Sequence, residues 1–152
     1  MVLCVVRVRG RIGVKRTIED TMRMLRLTRV NHCALVSETV SNIGMLRKAK
    51  DYVTWGKIDE ATLKMLIEKR GRLVGGRMID EDFLSSLKFA SIDDLVKSIE
   101  DGSVVYSRID GIKPIFRLSP PRKGYPKRKR SFREGGSLGL RENMDSLIER
   151  MV

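Results

Sequence analysis

The chain opens on VLCVVRVRG, an apolar run that turns into alternation, with Val6 and Val8 on one side and Arg7 and Arg9 on the other. Alternation with a period of two predicts a half-buried strand, because successive side chains of an extended chain point to opposite faces. Ile18, Met22 and Leu25 then recur at helical spacing, and Thr17 with Asp20 forms a capping-box pattern at their start. That stripe packs on the sheet and leaves Arg16, Arg23 and Arg26 pointing elsewhere. HCALVSE reads as a second strand. Ile43, Leu46 and Ala49 mark a short helix, and YVTW, residues 52–55, reads as a third strand. The order β-α-β-α-β over residues 1–57 predicts an α+β unit, a small sheet with two helices on one face.

Residues 58–119 read as a mostly helical extension. In IDEATLKMLIEKRG, Leu63, Leu66 and Ile67 share a stripe that Gly71 ends. IDEDFLSSL predicts a shorter helix. In SIDDLVKSIEDG, Ser91 and Asp94 supply a cap, Ile92, Leu95, Val96 and Ile99 an apolar face, and Gly102 a stop. Residues 120–152 comprise a basic arm and a final segment in which Leu140, Met144, Leu147, Ile148 and Met151 fall at helical intervals. This spacing predicts an amphipathic C-terminal helix that must dock on the body or on a partner.

Charge changes the picture. The 152 residues carry 31 Lys and Arg against 19 Asp and Glu, a formal charge of +12. Residues 1–50 hold eleven cations and three carboxylates, residues 51–119 eleven and twelve, and residues 120–152 nine and four. The excess therefore sits at the two ends, around a neutral middle that reads as a spacer. Such a surface favours nucleic acid or an anionic membrane. No apolar run approaches the roughly 18–20 residues of a spanning helix, and MVLCVV is too short for a signal-peptide core. Cys4 and Cys33 form no CxxC pair. A reduced, cytoplasmic setting is expected.

Several side chains invite sharper chemistry. The turn RGRIGVKR, residues 9–16, joins four cations to two glycines ahead of a helix, which suits phosphate, although P-loop spacing is absent. His32 and Cys33 lack zinc-ligand spacing, and Cys33 in an apolar strand reads as a small buried residue. Asp80, Glu81 and Asp82 fit a helix N-terminus better than a magnesium site. Trp55 is expected to be buried, and no strand-aromatic pattern for reading bases on a sheet is present.

The densest stretch is PRKGYPKRKRSFREGG, residues 121–136, whose first thirteen residues include seven Lys or Arg. It fits a solvated tail, a nuclear transport address built on PKRKR, or an arm for a polyanion. An amphipathic segment follows it, which favours the arm: Lys and Arg neutralise phosphates while Pro and Gly keep the chain extended.

Five segments in register, RVNHCALV, GMLRKAKDYVTWGKID, RGRLVGGR, LSPPRKG and FREGGSLGLRENMDSLIERM, closely resemble the archaeal form of the large-ribosomal-subunit L-thirty family, whose eukaryotic relative is called L-seven. The resemblance runs from the first strand to Met151, and the shorter bacterial members correspond to residues 1–57. It implies a three-stranded antiparallel sheet covered by two helices, a relative of the ferredoxin-like arrangement. It also implies a structural role in holding folded ribosomal RNA near 5S RNA, beside neighbouring ribosomal proteins, without catalysis, cofactor, metal or small-molecule substrate. The family's RNA-facing loop corresponds to Arg9–Arg16 and its basic extension to Arg122–Arg133.

The expected RNA-binding residues at the first end are Arg7, Arg9, Arg11, Lys15, Arg16 and Arg23, with Arg47, Lys48 and Lys50 on and after the second helix. Those at the other end are Arg122, Lys123, Lys127, Arg128, Lys129, Arg130, Arg133 and Arg141. The rival readings are a DNA- or chromatin-associated basic protein, and an RNA-processing enzyme using Asp80, Glu81 and Asp82 with a metal.

Overall fold

Strand β1 (Val2–Arg7) lies at the centre of a sheet whose order is β4-β2-β1-β3-β5 in the computed structural model, which describes residues 2–152. Its antiparallel neighbours are β2 (His32–Ser37), with Val5 opposite Ala34, and β3 (Val53–Lys57), with Val5 opposite Trp55. Helices α1 (Arg16–Met24) and α2 (Val40–Lys48) connect these strands, completing the expected β-α-β-α-β unit. Then follow α3 (Glu60–Arg70), α4 (Glu81–Ser86) and α5 (Ile92–Glu100), and after them strand β4 (Ile115–Arg117), strand β5 (Gly139–Asn143) and α6 (Asp145–Glu149).

The α+β class stands, but the sheet has five strands and not three. β4 adds antiparallel to β2, and β5 adds parallel to β3. A three-stranded sheet leaves two edges of unpaired N–H and C=O groups, and the later segments cover both. Neither addition is visible locally, since β4 is three residues long and β5, GLREN, is mostly polar.

Both faces of the sheet are covered, so β1 is not the half-buried strand that its alternation predicts. Leu3, Val5, Ala34, Val53 and Trp55 pack against Met22, Leu25, Leu46 and Ala49 of the α1–α2 layer. Cys4, Val6, Cys33 and Leu35 face the opposite way, against Leu63, Leu66 and Ile67 of α3, Val96 and Ile99 of α5, Met144 just before α6 and Ile148 within it. A strand buried on both faces reads as a continuous apolar run, which is what VLCVV is.

The helical stripes form as expected. Leu63, Leu66 and Ile67 are buried and α3 ends at Gly71. The Ser91 hydroxyl accepts from the Asp94 amide at 3.4 Å to start α5. Asp80 Oδ1 accepts from the Phe83 amide at 2.9 Å, so this carboxylate starts α4. Two local expectations fail. α1 begins at Arg16 after Lys15 without any side-chain cap, and the Thr17 carbonyl accepts from the Thr21 hydroxyl, so Thr17 and Asp20 make no capping box. At the C-terminus, Leu140 lies in β5, 51% exposed, and only Met144, Leu147, Ile148 and Met151 are buried at helical spacing on and around the shorter α6. Pairing with the β3 edge captures residues 139–143 before the helix can start. The close fit depends on Gly56, where a Cβ would stand 2.5 Å from the Arg141 carbonyl oxygen.

Candidate nucleic-acid interface

The loop after β1 is built around an arginine that faces inward. The buried Arg7 guanidinium donates to the carbonyls of Arg9 (3.0 Å), Gly10 (3.2 Å) and Leu27 (2.8 Å), and pairs with Glu19 at 3.1 Å. With every direction committed to protein oxygen, it offers nothing to solvent, contrary to its expected place among the RNA-facing cations. Its effect is to hold the loop carbonyls inward, leaving the neighbouring side chains outward. Arg9 is half-buried, stacked 4.9 Å from the Tyr52 ring centroid and bonded to the Asp51 carbonyl. Arg11, Lys15, Arg16 and Arg23 are exposed, with Arg11 3.8 Å from Glu19. Arg47, Lys48 and Lys50, at the end of α2, are exposed as well.

The second basic region is a pinned excursion of the chain. Arg150 on the far side of α6 donates to the Arg122 and Gly124 carbonyls at 3.0 and 2.6 Å. The Tyr125 hydroxyl donates to Asn31 Oδ1 at 2.7 Å, and burial pushes its pKa well above the usual phenol value. The Ser137 hydroxyl donates to the Pro126 carbonyl, and the amides of Ser137 and Leu138 both donate to the Arg130 carbonyl. At Gly136 any Cβ would collide with that same carbonyl, so glycine is required where the excursion closes. Between these pins Lys127, Arg128, Lys129 and Arg130 are exposed, as are Arg122, Lys123 and Arg133. Arg128 lies over the Tyr125 ring at 5.3 Å.

Arg141 does not join this outward set. Its Nε donates to the Thr54 hydroxyl at 2.8 Å and its Nη2 to the Ser137 carbonyl, and it lies over the Phe132 ring at 4.7 Å. Burial, and then the nearby Arg150, lower its pKa from the usual arginine value. Arg7 and Arg141 thus act as internal struts for the loop and the arm. Fourteen of the seventeen expected residues are exposed, and among the described residues only Arg11 of those fourteen has a carboxylate within ion-pair distance.

The fold also gathers cations that local sequence reading passes over. Arg70 and Arg72 at the end of α3 and just beyond it, and Lys113 and Arg117 around β4, line a pocket of about 240 Å³ that contains no carboxylate in its wall. Some forty residues separate the two pairs, and the Leu73–Ile112 bridge, the Lys113 amide donating to the Arg72 carbonyl and Arg70 donating to the Arg117 carbonyl bring them together. Beside them, His32 is buried and its pKa is lowered, first by burial and then by Arg117, Arg29 and Arg7. Cys33 is fully buried with its Sγ 3.4 Å from that of Cys4. Neither residue is presented as a ligand or a nucleophile.

Exposed, unpaired guanidinium and ammonium groups from the first and last parts of the chain form a surface suited to phosphate. Comparison with known proteins agrees with this class. Residues 3–53 match the family described as ribosomal protein L30p/L7e. The chain is 44% identical over 150 residues to the large ribosomal subunit protein uL30 of Methanosphaera stadtmanae, covering 97% of this chain and 98% of that protein. It is 48% identical over 150 residues to uL30 of Methanobrevibacter smithii, with the same coverage, and 46% identical over 152 residues to uL30 of Thermoplasma volcanium, covering 99% of this chain and 92% of that protein. With identity of this order running almost end to end, the chain belongs to the ribosomal protein L30p/L7e family.

Proposed function

We propose that the protein is a structural constituent of the large ribosomal subunit in the cytoplasm, where it binds and holds folded ribosomal RNA. The observation that carries this reading is the set of exposed cations at the two ends, nearly all without a carboxylate partner. Unpaired surface cations cost little in water and become favourable when they displace counterions from phosphates. The Arg9–Arg16 loop and the Arg122–Arg133 arm grip RNA, while residues 58–119 support the sheet and set the spacing. Large-subunit RNA is the main partner, with 5S RNA and neighbouring ribosomal proteins close by. The role is structural, and no substrate is turned over.

Sedimentation of the protein with large ribosomal subunits through washes of rising salt tests this reading. Retention with the subunit at moderate salt, and resistance to competition by duplex DNA, are expected. Equal competition by duplex DNA would favour a general nucleic-acid binder, and failure to sediment with the subunit would defeat the proposal.

A further inference from the structure

The face of the sheet covered by α1 and α2 is wider than those helices. β5 extends the sheet past α2 and leaves a groove of about 740 Å³, a volume within the range of small-ligand sites. Trp55 and Leu140, paired across β3 and β5, form its floor. Arg47 projects from α2 on one side, and Phe132 and Arg133 of the arm stand on the other. Phe132 is 44% exposed, with Arg141 beneath its ring at 4.7 Å, so the ring is held while remaining accessible. Four cations, including Lys57 and Arg141, and two carboxylates, Glu38 and Glu142, line the groove, which is positive on balance.

An aromatic and aliphatic strip rimmed by cations matches the chemistry of one nucleotide turned out of its stack, with its base on the apolar strip and its phosphates on the rim. The positive balance disfavours a basic ribosomal-protein tail as occupant. We propose that this groove receives a single unstacked RNA nucleotide, its base against Phe132 and Leu140 and its phosphates at Arg47, Lys57 and Arg133. Glu38 and Glu142 are placed to accept from N–H donors on the base edge. The proposal rests on the RNA-binding reading above and adds a base-level site to phosphate contacts that carry no sequence information.

Trp55 is the only tryptophan and lies in the floor, so its emission reports occupancy. The full chain is titrated with a labelled RNA hairpin carrying one bulged nucleotide and with the same hairpin fully paired, following RNA anisotropy and Trp55 emission together. Tighter binding of the bulged RNA, by roughly 5- to 100-fold as for one base–aromatic stack, with a change in Trp55 emission, is expected. Phe132→Ala should remove the preference, Phe132→Tyr should keep it, and Leu140→Asn, at an exposed position, should weaken it without loss of fold. Equal binding of both hairpins with unchanged Trp55 emission overturns the nucleotide site and leaves the RNA-binding reading standing. If neither RNA binds, that underlying reading fails as well. A Trp55 response to large-subunit proteins but not to RNA overturns the site in favour of protein docking.

Discussion

Arg7 and Glu19 form an ion pair at 3.1 Å, with the arginine wholly buried and the glutamate still partly in water. Because the same guanidinium holds the Arg9 and Gly10 carbonyls of the loop and the Leu27 carbonyl after α1, Arg7→Met should cost about 3 kcal/mol, the lower end for breaking a buried pair since Glu19 can rehydrate. RNA affinity should fall with it, as the loop loses its scaffold. Arg11→Gln should weaken RNA binding and leave urea-unfolding stability within about 0.5 kcal/mol. An Arg7→Met protein of unchanged stability would show that the arginine is not a strut.

The sheet's second face makes a further prediction. Cys4, Val6, Cys33 and Leu35 are covered by α3, α5 and the segment around α6. A chain ending at residue 57 should expose that face and self-associate, as large uncovered apolar patches do. Analytical ultracentrifugation checks this, and a monomeric, cooperatively folding fragment would contradict it.

Gly56 tests the parallel edge. A methyl there meets the Arg141 carbonyl at 2.5 Å, so Gly56→Ala must push β5 from β3 at a cost of about 1–3 kcal/mol. Thermal unfolding followed by Trp55 emission, next to the displaced strand, should show a lower midpoint. An unchanged midpoint would mean that β5 is not held there.

The paired thiols predict a pH dependence. The Cys33 thiol is held well above its ordinary value of 9.0, first by its hydrogen bond with Cys4 and then by burial. The folded protein keeps a proton that the unfolded chain releases above that value. The resulting stability is therefore fully present below pH 9.0 and is lost as pH rises further. Urea midpoints between pH 8 and 10.5 should decline more in the parent protein than in Cys33→Ala; equal declines would remove the thiol from the account.

Much of the fold is legible in the chain because its signals are local. The stripes of α1, α3 and α5 and the caps at Asp80 and Ser91 each lie within about two turns of helix, and they appear where the spacing puts them. The edge strands are not legible: GLREN has no strand pattern of its own and becomes β5 only because β3 offers an open edge. The same limit applies to the charges. Sequence marks Arg7, Arg141 and Lys127 alike as cations, and only tertiary packing turns the first two inward. It also separates Arg70 from Arg117 by a long interval that the fold closes.

The pinned arm gives the most direct test of the central claim. Lys127, Arg128, Lys129 and Arg130 are exposed between their anchors, so replacing all four by Ala should spare the fold. The decisive measurement is the salt dependence of binding to isolated large-subunit RNA, for the parent protein and for this variant. With about six to ten phosphates neutralised, the parent's affinity should fall roughly 10³- to 10⁵-fold between about 50 and 200 mM salt. The variant should bind more weakly with a shallower slope, by about 0.7–0.9 for each phosphate that is no longer neutralised. A flat salt dependence in the parent, or identical slopes for both proteins, would contradict the account.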